Sequence, residues 1–252
     1  MKETSQSSQE RAILKASFVK NEVLFIMQSK KRKLNFSEEC LYYCMKCVEQ
    51  STENIMGYDI DFDFRTALPI DANFLEKAQK VCMVCEHFQI INPGLFDHLQ
   101  EKLKMPLQTK RSVCHALSCL KTGLFRDGIT WAKVIAFYAF ISALVVECIT
   151  KGNCQYIVNI IYAVKQFIDG ELVPWIKENE GWDHMLYQFR SLDITKRDKD
   201  FDHDGLMKKT STFVGQNVLK MARSFSDALV TGICVLFKNI DDSQELPEST
   251  YF

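Results

Sequence analysis

Val134-Ile135-Ala136-Phe137-Tyr138-Ala139-Phe140-Ile141-Ser142-Ala143-Leu144-Val145-Val146 carries no charged side chain. A helix that is apolar on every side belongs either at the centre of a bundle or in a lipid bilayer. Thirteen residues rising about 1.5 Å each reach roughly 20 Å, short of a hydrocarbon core of about 30 Å. The stretch is therefore expected to rest as a buried helix wrapped by others. Thr130, just upstream, is of the type that caps a helix N-terminus. Lys151-Gly152-Asn153 turns the chain, and a partner helix is expected over 154–168. A helical hairpin at about 130–168 is thus the predicted core.

Upstream, Asn35-Phe36-Ser37-Glu38 has the form of an N-cap with an acid three residues on. The helix it starts carries Cys40, Cys44, Cys47 and Val48 on one face. Residues 51–72 read as a loop, with acids alternating at Asp59, Asp61 and Asp63, and Asp71 caps the next helix. There Phe74, Ala78, Val81, Cys85 and Phe88 recur at spacings of four and three, one helical stripe. Asn92-Pro93-Gly94 stops it. Helices are expected at 95–103 and 108–120, with Gly123 ending the second and Asp127-Gly128 turning the chain. Downstream, short helices are expected around Pro174-Trp175 and over 182–189.

No strand pattern is present, so the fold class is all-α, a helical bundle around a central apolar hairpin. The chain divides into an N-terminal extension at 1–34 (with an amphipathic segment at 13–27), a bundle at 35–190, a charged linker at 191–212, an amphipathic helix at 213–240 and an acidic tail at 241–252. Lys220, Arg223 and Asp227 interrupt the last helix, so it suits an interface better than a span.

A net charge of −1 argues against nucleic acid as a partner, because phosphate binding needs a concentrated basic surface. The run Lys30-Lys31-Arg32-Lys33 reads as a solvated turn. The N-terminus lacks the apolar core of a signal peptide, so the ten cysteines are expected to be free thiols in a reducing compartment. Cys44/Cys47 and Cys82/Cys85 have Cys-x-x-Cys spacing but lie inside helical patterns without a Gly or Pro knuckle, and read as core rather than as zinc ligands. Asp200-Phe201-Asp202-His203-Asp204-Gly205 matches the opening of a calcium loop, but the twelfth position is Ser211 instead of Glu, and it reads as solvated linker. No nucleophile motif, phosphate loop or dinucleotide fingerprint is found; neither an enzyme, a cofactor nor a metal is expected.

Two stretches carry a family resemblance. Leu124-Phe125-Arg126-Asp127-Gly128-Ile129-Thr130-Trp131-Ala132-Lys133 resembles the first homology motif of the Bcl-2 family of apoptosis regulators, with its Asn-Trp-Gly-Arg core. Pro174-Trp175-Ile176-Lys177-Glu178-Asn179-Glu180-Gly181-Trp182 resembles the second, Trp-Ile-x-x-x-Gly-Gly-Trp. Thr130 and Lys133 stand where most of the family has Asn and Arg, a variation similar to that of the Bok-like branch among the Bok/Bak-like effectors. Counting back from Pro93, a third motif falls on residues 81–88, where Val81, Cys85 and Glu86 stand for the family's Leu, Gly and Asp. Ala132 replaces a Gly of the first motif, and a fourth motif near 41–48 matches weakly.

The resemblance implies a Bcl-2-like bundle whose helices enclose an apolar groove for an amphipathic helix. The third-motif residues would be Val81, Val84, Cys85, Glu86 and Phe88. The groove and first motif would use Phe125, Asp127, Gly128, Trp131, Lys133, Val134 and Phe137, with Lys133 at the edge facing a ligand carboxylate. The second motif would use Trp175, Gly181 and Trp182. The three tryptophans read chiefly as core packing. Implied partners are Bcl-2 family proteins bound helix-in-groove, a second copy of the chain, and organelle membranes, with the protein shared between cytoplasm and the mitochondrial outer membrane or endoplasmic reticulum. The implied function is regulation of apoptosis, as a membrane-permeabilising effector or alternatively as a pro-survival protein that sequesters third-motif helices.

Overall fold

The computed structural model describes residues 34–52, 71–91, 96, 99 and 107–190. The expected features at 13–27, 30–33, 59–63, 200–205, 214–237 and 241–252 lie outside the described residues, as does the 95–103 segment apart from Phe96 and Leu99, which are helical. The described residues form helices without strands: α1 (Phe36–Thr52), α2 (Ala72–Ile91), α3 (Lys110–Phe125), α4 (Trp131–Thr150), α5 (Ile157–Phe167), α6 (Val173–Glu178) and α7 (Gly181–Gln188).

The helix starts follow from the cap residues. Asn35 Oδ1 accepts from the Glu38 amide at 2.9 Å while Glu38 Oε2 accepts from the Asn35 amide at 2.8 Å, a reciprocal capping box. Asp71 Oδ1 accepts from the Phe74 amide at 2.7 Å, and Thr130 Oγ1 from the Lys133 amide at 3.3 Å. Thr109 and Ser112 cap α3 in the same reciprocal way.

α4 is the axis. α1, α2, α3 and α5 all pack on it, and α1 also packs on α2. Val134, Tyr138, Ala139, Ile141, Leu144 and Val145 are fully buried. The helix has 20 residues, its most apolar 18-residue window has mean hydropathy 2.0, and 72% of that window is buried within the fold. Counting only the uncharged residues made it too short for a bilayer; the whole helix, at about 1.5 Å per residue, reaches roughly 30 Å. By length and composition it could cross a membrane, and in this fold it is the core.

Three boundaries differ from expectation. α3 runs through Gly123 to Phe125, because one interior glycine costs only about 1 kcal/mol and the buried Leu124 holds the last turn. The chain then turns at Gly128, as expected from Asp127-Gly128, and the φ of +93° there favours glycine. The partner helix expected over 154–168 begins as a 3₁₀ turn (Cys154–Tyr156), and it does not stop at Ile168. It widens into a π turn (Ile168–Leu172) and passes into α6. Pro174 lacks an amide proton and its ring crowds the carbonyl four residues back, that of Gly170; a wider turn relieves both.

Candidate functional site

The stripe expected to carry the third motif lies inside the bundle. Val81, Val84, Cys85 and Phe88 are all buried, on the face of α2 that meets α1 and α4. Two side chains fasten that face to the central helix. Gln89 Nε2 donates to the Ala139 carbonyl at 2.9 Å, and the Cys85 thiol lies 3.9 Å from the Ile135 carbonyl. Glu86, half-buried beside the stripe, accepts from Gln50 Nε2 of α1 at 2.7 Å. Phe88 packs edge-on to Phe96, centroids 6.0 Å apart.

The first and second motifs meet at an aromatic joint. The Trp131 ring lies 5.0 Å from Trp175 and 5.5 Å from Trp182, and Trp182 is 5.1 Å from Tyr43 and 5.8 Å from Tyr138. Trp182 Nε1 donates to Cys40 Sγ at 3.3 Å, and Tyr138 donates its hydroxyl to the Cys40 carbonyl at 2.8 Å. Burial pushes the Cys40 thiol up to about 12 and the Tyr138 phenol well above its usual range, so both stay neutral. Trp131 Nε1 is buried and has no hydrogen-bond partner. The tryptophans thus pack chiefly as core, Trp175 the most open of the three.

Around this joint Phe125 packs on Phe137 (5.8 Å) and Phe167 (5.0 Å), and Val134 and Phe137 are buried beneath. Asp127 is exposed at the turn. Lys133 Nζ donates to the Gly128 carbonyl at 2.8 Å, folding its cation back over the loop between α3 and α4. Gly181, at φ +70°, lets the chain enter α7, and Glu180 before it adopts φ +64° while pairing with His184 Nδ1 at 2.8 Å.

The expected site residues lie in two zones: the α2 stripe, which packs on α1 and α4, and the first- and second-motif segments, which meet at Trp131, Trp175 and Trp182. The large hydrophobics exposed among the described residues, Tyr162 and Tyr187, belong to neither zone. Sequence reading missed Gln89 and Gln50, which look like ordinary surface amides, and Cys40, whose partner Trp182 lies 142 residues away.

Residues 83–182 match the model for apoptosis regulator proteins of the Bcl-2 family. The chain is 28% identical over 101 residues to Bcl-2-related ovarian killer protein homolog B of Danio rerio, covering 40% of this chain and 48% of that protein. It is 30% identical over 130 residues to human Bcl-2-like protein 1, covering 52% and 53%. The chain therefore spans about half the length of the curated relatives it matches. The crystal structure of Trichoplax adhaerens trBcl-2L2 bound to trBak BH3 has the same fold, with a TM-score of 0.54 at 19% identity over 62% of this chain and 99% of that one. Motifs, fold and the match over residues 83–182 agree: this stretch of the chain is similar to the Bcl-2 family of apoptosis regulators, and the described helices have the fold of a Bcl-2 relative.

Proposed function

We propose that this protein regulates cell death by permeabilising an organelle membrane, in the manner of Bok/Bak-like effectors, and that its ligands are amphipathic third-motif helices. The observation that carries the reading is α4: a helix of bilayer length and composition held with 72% of its apolar window buried. Moving it out of the bundle exposes large apolar side chains, each worth about 1.5–3 kcal/mol, and lipid returns that energy by keeping them from water. The similarity to relatives named as killer proteins supports the pro-death direction. The Trichoplax protein of this fold is bound to a BH3 segment, which supports helix-in-groove binding. The groove would open between α2 and the first-motif/second-motif joint, with Lys133 leaving the Gly128 carbonyl to meet a ligand carboxylate. Val81, Val84 and Phe88 would enter the groove of a second copy and build a symmetric dimer.

The pro-survival reading rests on the similarity to Bcl-2-like protein 1. Dye release from anionic, mitochondria-like liposomes separates the two. Release by the wild-type chain, with or without an activating third-motif peptide, supports the effector. Absence of release under every activating condition, together with inhibition of another effector's release, selects the pro-survival function.

A further inference from the structure

The two Cys-x-x-Cys pairs, 35 residues apart in sequence between Cys47 and Cys82, meet across the contact of α1 and α2. Cys47 Sγ lies 3.4 Å from Cys82 Sγ, with Cys44 one turn away on α1 and Cys85 one turn away on α2. All four thiols are buried: Cys44 is fully enclosed, and Cys47, Cys82 and Cys85 are 3%, 2% and 3% exposed. No group of three or more His, Cys, Asp or Glu side chains placed to hold a metal ion occurs among the described residues.

We propose that Cys47 and Cys82 form a redox-sensitive pair whose disulfide clasps α1 to α2 and holds the third-motif helix in the bundle. The sulfurs are in contact and must close by about 1.4 Å to reach a bond length of about 2.0 Å. The reaction needs an oxidant of the hydroperoxide class. One thiol and hydrogen peroxide give a sulfenic acid and water; the second thiol then displaces the sulfenic hydroxyl, giving the disulfide and a second water. Burial raises the Cys47 thiol well above its usual range, and the Cys47 contact together with burial raises Cys82, so little thiolate exists in the closed bundle. The first step therefore takes place when α2 lifts from α1, and the second when it closes again. The bridge records the same opening that the proposed effector function requires, and its effect on that function rests on that reading.

The chemistry is tested on the full chain without reference to membranes. The native protein is treated with hydrogen peroxide, remaining thiols are alkylated, and cross-linked peptides are mapped by mass spectrometry. We expect a Cys47–Cys82 bridge that dithiothreitol reverses, that Cys82→Ser abolishes and that the Cys44→Ser/Cys85→Ser double variant retains. Oxidation of other cysteines with Cys47 and Cys82 both still alkylated, or a bridge joining a different pair, overturns the proposal. Dye release is then compared before and after oxidation. A several-fold loss that dithiothreitol restores, and that Cys82→Ser does not show, supports the clasp. Unchanged release by bridged protein overturns its role in holding α2. A bridge in a protein that never releases dye sustains the thiol pair and removes the effector reading alone.

Discussion

Gln89 on α2 donates its side-chain amide to the carbonyl oxygen of Ala139 on α4, 2.9 Å away and fifty residues along the chain. That carbonyl belongs to the middle of a helix, so the bond uses its spare lone pair and ties the third-motif helix directly to the central one. Gln89→Ala should lower stability by about 1 kcal/mol, the usual worth of such a bond. Hydrogen exchange should quicken along α2 and leave α5 unchanged. Uniform quickening across the bundle would show that Gln89 has no local role.

Lys133 lies in the first motif two residues after Trp131, and its ammonium is parked on the Gly128 carbonyl. If a bound helix presents a carboxylate there, Lys133→Glu should weaken a third-motif peptide by about 1–3 kcal/mol, since like charges would then meet at a partly desolvated edge. Fluorescence-polarisation titration measures this. Equal affinity of the two proteins would remove Lys133 from the site.

Glu180 adopts a left-handed backbone, φ +64°, immediately before Gly181 at +70°. A non-glycine residue there is strained by roughly 1–2 kcal/mol. The second homology motif has glycine at both positions, and this geometry supplies the reason. Glu180→Gly gives up an exposed pair with His184 and adds chain entropy to the unfolded state. The net effect should be a stabilisation of up to about 1 kcal/mol, read as a higher melting temperature. A clear fall would mean that the His184 contact outweighs the strain.

His87 on α2 is held below the usual imidazole range by burial. The neutral ring is thus favoured in the fold, and as pH falls below about 6.5 the unfolded chain takes up the proton first. Stability should decline through that window and flatten below the folded-state value. His87→Gln should shallow the decline between pH 7 and 5, as measured by urea midpoints. His115, lowered by burial and then by Arg111, leaves a residual slope of the same sign.

Much of the fold was written in local signals. The caps at Asn35, Asp71 and Thr130 announce themselves by residue type, and the uncharged run inside α4 fixes the core by composition alone. The boundaries that differed were decided elsewhere: α3 passes Gly123 because Leu124 finds a buried seat, and α5 continues beyond Ile168 because a π turn absorbs Pro174. Within the site, the α2 stripe was legible from its spacing. The bonds that tie it down were not, since a glutamine at position 89 carries no sign that a carbonyl fifty residues later will receive it. Cysteine spacing was similarly mute. Helical periodicity assigned both Cys-x-x-Cys pairs to the core, but only the packing of α1 on α2 sets them face to face.

All three tryptophans of the chain lie at one joint, Trp131 within 5.5 Å of both others. Intrinsic ultraviolet emission is therefore a single-point gauge. Excitation should pass among the three indoles, the Cys40 thiol in contact with Trp182 should quench it, and Trp131, buried with an unbonded Nε1, should emit at the blue end. Separation of the first motif from the second should redden and brighten the signal, while events confined to α2 should leave it unchanged. One unlabelled protein thus carries its own optical readout of whether the bundle has parted at that seam.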